Sequence, residues 1–374
     1  MDHSLGTNPL KLGFGLMRLP RLADGASIDI PQVSEMADRF LAAGGTYFDT
    51  AYAYEGSEEA FRRAVVERYP RESFTVASKL LVSMPSVHSE EDAKREFYTT
   101  LERTGAGFID YYLLHAIQRV NVDLYEKYHL WDYVKELKSK GLIRHWGFSF
   151  HADSALLEDL LEKHPDAEFV QLQINYADWE NPGVASRRNW EICRRRGKPV
   201  MIMEPVKGGI LADPIPTVRA VFDAAGRDVS YASWALRFAA GLEGVHAVLS
   251  GMSNLAQMDD NLKTMKDFRP LDEGEMELIH KAQQALDEDK SIPCTACHYC
   301  TEGCPMNIPI PEIFNVINRR KGSPEFRTIR EYGIVTADRG TAGDCVSCGQ
   351  CERACPQGLK IISLLRQCKA ELEK

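Results

Sequence analysis

The chain has 374 residues, 44% apolar and 26% charged, enough for two or three domains at roughly 150 residues each or one large barrel with a small module. This balance excludes a disordered or collagen-like protein, and a net charge of −9 argues against nucleic acid as the main partner. No run approaches the about eighteen apolar residues of a membrane span, and MDHSLGTNPLKLGFG lacks the layout of an export signal, so a cytoplasmic protein without membrane association is expected.

Up to about residue 270, short β-favouring runs alternate with longer amphipathic ones. In chain order the pattern predicts a strand over 11–16, a helix over 31–43, a strand over 46–50 and a helix over 57–69. It continues with strand 74–78, helix 89–103, strand 109–114, helix 124–140, strand 143–148 and helix 153–163. The last units are strand 169–174, helix 186–196, strand 200–203, helix 230–240, strand 245–249 and helix 255–266. Most of the strands are apolar on both faces, as strands covered on both sides must be. Ser89 with Asp92 suggests a capping box, and Gly44, Gly105, Gly141, Gly197 and Gly241 follow helices. Eight such units match, in count and length, an α/β fold of the closed parallel (β/α)8 TIM-barrel type. An open doubly wound sheet would need a glycine-rich phosphate turn after its first strand, and Leu12-Gly13-Phe14-Gly15-Leu16 is too short and apolar for one.

Residues 274–289 read as one more helix, and from Ile292 the composition turns to cysteine, proline and glycine. Eight of the ten cysteines stand here in two groups, Cys294-x-x-Cys297-x-x-Cys300-x-x-x-Cys304-Pro305 and Cys345-x-x-Cys348-x-x-Cys351-x-x-x-Cys355-Pro356. Three thiolates two residues apart can wrap three corners of a cubic iron–sulfur cluster, and the fourth, followed by proline, reaches the neighbouring cluster. The spacing therefore assigns Cys294, Cys297, Cys300 and Cys355 to one 4Fe-4S cluster and Cys345, Cys348, Cys351 and Cys304 to another. Zinc ribbons separate two close pairs by a long spacer, which this pattern does not do. Each cluster with its thiolates would add about −2 to the charge. Cys193 and Cys368 read as packed side chains. Apart from the paired cysteine groups, no repeat is visible. The expected domains are a barrel over 1–272, a linker helix over 273–290 and a two-cluster, mainly helical ferredoxin-like domain over 291–374.

Catalytic groups of such barrels sit where strands end at the C-terminal face. Those ends carry Asp49, Lys79 and His115, with Tyr54 in the loop after the second strand. Each alone has a plain structural explanation; together they fit carbonyl reduction. A tyrosine, with an ordinary pKa of about 10, becomes a usable proton donor when an ammonium beside it favours the phenolate. Lys79 would supply that ammonium, Asp49 would hold it charged, and His115 would orient the carbonyl. No nucleophile elbow and no HExxH helix is present.

Residues 10–270 resemble the aldo/keto reductase family, on the strength of Asp49-Thr50-Ala51-x-x-Tyr54 followed by Gly56-Ser57-Glu58, with Lys79 and His115 at the family's lysine and histidine positions. The whole chain resembles a branch in which this barrel carries a C-terminal two-cluster ferredoxin domain. The resemblance implies NADP or NAD as cofactor, with Ser149 and Gln171 on the nicotinamide carboxamide and Asn175 nearby. Gly208 and Gly209 would lie along the pyrophosphate. Ser250, Gly251, Met252, Ser253, Gln257 and Asn261 would hold the adenosine end, the usual phosphate corner of these barrels. The chain departs from the family pattern at Phe150, where an asparagine is usual, at Met203, where many members stack a tyrosine, and at Ser253, where many carry an arginine. Met17, Arg18, Tyr52 and Trp179 are expected to border the substrate pocket.

A nicotinamide delivers two electrons and a cluster takes one, so direct exchange calls for a carrier that works in both modes, typically a flavin, which such barrels bind at the same corner. Three readings follow. In the leading one, an oxidoreductase acts on a small-molecule carbonyl or alcohol while the clusters exchange electrons with a redox partner protein. In the second, an electron-transfer protein keeps an inactive barrel as scaffold. In the third, the clusters merely staple an ordinary reductase.

Overall fold

Short runs of Phe, Tyr, Val, Ile and Leu become strands here because both of their faces are covered, one by the barrel interior and one by helices. A computed structural model, describing residues 5–6, 8–289, 291–320 and 325–373, shows eight of them. They are β1 (Leu12–Gly15), β2 (Tyr47–Asp49), β3 (Thr75–Leu80), β4 (Ile109–Ile117), β5 (Ile143–Phe150), β6 (Phe169–Gln173), β7 (Val200–Met203) and β8 (Val245–Ser250). All pair in parallel in chain order, and β8 returns to β1, so the sheet closes into a barrel with helices between its strands. By contact the chain divides into two units, Met1–Val206 with Leu211–Gln283, and Lys207–Ile210 with Gln284–Lys374. Among the described residues no helix is long and apolar enough to cross a membrane.

The two-residue period of a strand explains where the barrel's polar groups go. Tyr47, Ala77, Leu113, Phe169 and Met201 pack together inside the barrel with Leu5, Tyr111, Ala247 and Leu249. Two positions further along the same strands, on the same face, stand Asp49, Lys79, His115, Gln171 and Met203. An apolar interior layer thus leads to a polar layer at the C-terminal rim. Gly147 belongs to the same pattern: a Cβ there would lie 2.4 Å from the Phe169 carbonyl oxygen, so only glycine lets β5 and β6 approach.

The helices and their caps differ from expectation in five places. The segment 57–69 is helical over Ser57–Phe61 and then widens into a π-type turn over Arg62–Val66. The segment 124–140 splits into Val122–Lys127 and Leu130–Ser139, because His129 between them is left-handed and turns its ring to the Glu90 carboxylate, 2.9 Å away. An unforeseen helix, Pro216–Asp223, starts on a proline at its first position. Gly241 is the last residue of its helix, with Leu242 as cap, whereas the other four glycines do follow their helices with positive φ. At Ser89 the hydroxyl caps the Asp92 amide, but the Asp92 carboxylate accepts from the His88 amide and the Ser89 hydroxyl, so the cap is not a reciprocal box.

The second unit is helical, with Ile310–Arg319, Glu325–Val335 and Ile361–Leu372 around a core of Ile313, Phe314, Ile361, Leu365 and Cys368. The helix Glu273–Asp287 is shared, the division falling at Gln283.

Candidate active site and cysteine cages

Lys79 is fully buried, and a buried ammonium needs a partner. It has two, donating to Asp49 Oδ1 and to the Thr50 carbonyl oxygen, each at 2.7 Å. Burial pushes the Lys79 ammonium down from its usual pKa and the Asp49 carboxyl up, and their mutual attraction opposes both shifts. Asp49 Oδ2 is buried without a partner among the described residues. The Lys79 nitrogen lies 4.8 Å from the centroid of the Tyr54 ring, and the His115 ring meets that ring edge-on at 5.7 Å. The structure therefore gathers Asp49, Tyr54, Lys79 and His115 at one place on the rim.

Local bonds fix this arrangement. The turn carrying Tyr54 is pinned by Ser57, whose hydroxyl donates to the Leu16 carbonyl oxygen and lies 2.7 Å from Thr50 Oγ1. Glu58 is buried beside it and accepts from the Ser78 hydroxyl. Register shifts between Leu114 and Ile117, where Ala116 has φ 52° and donates to Ser149 Oγ, so β4 runs past His115. Burial, aided by the Lys79 charge and by His151, holds His115 well below the usual imidazole pKa; it is neutral, and its Nδ1 has no partner among the described residues. His151, directly after β5, was not anticipated. It too is pushed down, to about 4, by burial, and its Nδ1 is likewise buried without a partner. Its only signal in the sequence is its place after a strand end.

The residues expected to hold a nucleotide are mostly engaged by neighbouring groups of the protein. Ser149 Oγ accepts from Ala116, and Asn175 binds Asp178 and the Glu204 carbonyl. Asn261 donates to Ser250 Oγ, Gln257 accepts from the Ser253 amide, and the Ser253 hydroxyl donates to the Arg18 carbonyl. Met252 is buried, and Gly251 lies against the Arg18 side chain. One group fits a nicotinamide carboxamide: Gln171 turns its Nε2 to Met203 Sδ at 3.4 Å, leaving Oε1 a buried acceptor without a partner among the described residues. The two glycines differ from each other. Gly208 has φ 63°, and a Cβ there would lie 2.6 Å from the Thr295 carbonyl oxygen, so its open face is filled by the second unit to which it belongs; beside Gly209 the space is open. Trp179 packs on Trp190 and Phe238 of the helical layer. Tyr52 lies under the Arg103 guanidinium.

The eight cysteines line two cavities, each with about 320 Å³ of space between atoms. Cys294, Cys297, Cys300 and Cys355 line the first; Cys345, Cys348, Cys351 and Cys304 line the second. None forms a disulfide, and among the described residues no three His, Cys, Asp or Glu donors converge on one point as a single ion requires. Both cages repeat one backbone design. Ala296, His298 and Asn307 have positive φ in the first group, as do Ser347, Gly349 and Gly358 at matching positions in the second. Such alternation turns successive amides into an anion-holding concavity of the kind found around iron–sulfur clusters, so the thiols and the backbone both fit an anionic cluster. Cys193 and Cys368 are buried elsewhere, and burial pushes each thiol up to about 12.

The model of the aldo/keto reductase family matches residues 11–284, and that of a 4Fe-4S dicluster domain matches residues 293–359. The chain is 26% identical over 211 residues to aldo-keto reductase str7 of Strobilurus tenacellus, covering 54% of this chain and 59% of that one. It is 36% identical over 126 residues to an aldo-keto reductase of Mycolicibacterium vanbaalenii, covering 32% and 41%. The chain thus spans about half the length of these curated relatives. Aldo-keto reductase AKR11C1 from Bacillus halodurans, in its holo form, aligns with a TM-score of 0.58 at 22% identity over 73% of this chain and 91% of that one. An aldo/keto reductase from Klebsiella pneumoniae in complex with NADP and acetate aligns at 0.57 and 19% identity, over 75% and 92%. These structural likenesses show the fold.

Proposed function

Since the chain belongs to the aldo/keto reductase family and carries a 4Fe-4S dicluster domain, we propose that it is an NADP- or NAD-linked oxidoreductase acting on a small-molecule carbonyl or alcohol. The observation that carries this reading is the Lys79 ammonium, fixed by Asp49 and set 4.8 Å from the Tyr54 ring. Gln171, with Ser149 beside it, would hold the carboxamide. When bound, a reduced nicotinamide supplies a hydride to the carbonyl carbon. Tyr54 gives its hydroxyl proton to the carbonyl oxygen, and the positive charge of Lys79 stabilises the phenolate left behind. Neutral His115 donates a hydrogen bond to the same oxygen and orients it. In the reverse direction the phenolate takes the alcohol proton. Asp49 acts one step removed, by keeping Lys79 charged.

In the second unit, Cys294, Cys297, Cys300 and Cys355 would hold one 4Fe-4S cluster and Cys345, Cys348, Cys351 and Cys304 the other. Clusters held there would supply single-electron exchange with a redox partner protein. Tyr54→Phe is expected to lower carbonyl reduction by about 10²- to 10⁴-fold while nucleotide binding persists; full turnover in that variant would overturn the acid–base assignment. The opposing reading, an electron-transfer protein with an inactive barrel, draws on Gly208, which has Thr295 where its own Cβ would stand. Anaerobic titration of the holo-protein with NADH and NADPH separates the two. Micromolar binding of either excludes the inactive barrel, and flavin measured in the same sample decides whether a third redox group joins them.

A further inference from the structure

The two cysteine cages are related by an internal repeat that pairs Cys294 with Cys345, Cys304 with Cys355, and the helix starts Ile310 and Ile361. The same offset pairs the residues lining the cavities, and the pairs are not equivalent. Thr295, His298 and Gln357 line the first cage, where the second has Val346, Gly349 and Met306. Every polar side chain in these three pairs falls to the first cage.

Gln357 is the most constrained of them. It is buried, and its Oε1 accepts from Lys207 Nζ at 2.9 Å. That bond fixes the amide orientation, and Nε2 is left a buried donor with no partner among the described residues. Lys207 is itself buried and stands at φ 49°, next to Gly208, which rests on Thr295. A buried lysine in a left-handed backbone is costly, and the bond from its ammonium to Gln357 leads toward the cage.

We propose that Lys207 and Gln357 form a redox-tuning relay peculiar to the first cage, in which the ammonium polarises the amide and the amide N–H donates to a sulfur of the bound cluster. The inference rests on the iron–sulfur reading above and concerns one cluster of the two. A cluster gains one negative charge on reduction, so a hydrogen bond to its sulfur and a nearby cation both favour the reduced form. Burial acts the other way, since it penalises added charge. The first cage has no exposed cysteine, whereas Cys348 of the second is exposed. The relay therefore offsets the handicap of the more enclosed cluster. Both residues are positioning groups; neither touches substrate.

The test is an anaerobic redox titration of reconstituted full-length protein with dithionite, the reduced clusters being followed by electron paramagnetic resonance and the iron counted. Gln357→Met, which copies Met306, is expected to lower the reduced-to-oxidised ratio of one cluster about tenfold at a fixed potential, equivalent to about 59 mV for one electron. Lys207→Gln should move the same signal in the same direction, and Lys207→Arg should restore it. Met306→Gln, which adds a donor to the other cage, should raise the other signal. Unchanged ratios in both Gln357→Met and Lys207→Gln, with about eight irons retained, would overturn the relay. If Gln357→Met loses iron, Lys207→Gln decides, because its side chain does not line the cage. Wild-type protein that takes up no iron would instead defeat the cluster reading itself, so the two failures are distinguishable.

Discussion

Lys79 and Asp49 form a buried ion pair whose members are each tolerable only because of the other. Removing one partner strands a charge, so Lys79→Met is expected to cost about 3–5 kcal/mol, and adding Asp49→Asn should recover most of it. Urea unfolding followed by tryptophan fluorescence measures both, and all five tryptophans lie between residues 131 and 234. A double variant no more stable than Lys79→Met would show that the pair is not a coupled unit. Asp49, Lys79 and His115 were legible from the sequence because a polar side chain ending an apolar strand is conspicuous, and Tyr54 because of its spacing from Asp49. His151 was hidden, since one more polar residue in a loop carries no signal until the fold sets it near His115. Lys207 and Gln357 were hidden for a related reason. Their meaning lies in a hydrogen bond across 150 positions of chain.

Strands proved the easiest elements to read, because parallel barrel strands are apolar on both faces and short, and Val200–Met203 has the expected limits. The overrun of β4 could not be read, because the bulge at Leu114–Ile117 depends on Ser149 of β5 accepting from Ala116. Likewise the break at His129 interrupts a pattern that remains amphipathic on both sides. Local capping is more transparent. Ser89→Ala removes the acceptor for the Asp92 amide and should cost about 1 kcal/mol, the usual value for a lost N-cap. Ser89→Asp, which can cap the same amide, should cost less. Equal losses would mean that the Asp92 bonds to His88 and Ser89, and not the cap, hold this helix start.

For the molecule as a whole, acid is the expected weakness. Burial holds His151 and His246 at about 4, below the ordinary 6.5. Between those values the unfolded chain binds protons that the folded chain refuses, so stability is present above pH 6.5 and lost as pH falls toward 4. With partial exposure allowed for, each contributes roughly 1–3 kcal/mol. His246→Asn and His151→Asn should each flatten the decline of urea-unfolding stability between pH 6.5 and 4. A slope identical to wild type in both would refute the assignment. Glu96 works on the other side: burial raises its carboxyl to about 8, so its contribution is present at low pH and fades from 4.5 to 8. Glu96→Gln should therefore gain stability relative to wild type at pH 9.

Each cage takes three thiols from one half of the tail and its fourth from the other, Cys355 and Cys304 having changed places. The first cage cannot close without Cys355, and the second cannot close without the turn at Cys304. Neither half of the tail could therefore complete a cluster site by itself. With clusters bound, the loss of either exchanged thiol would loosen the join between both halves of the tail.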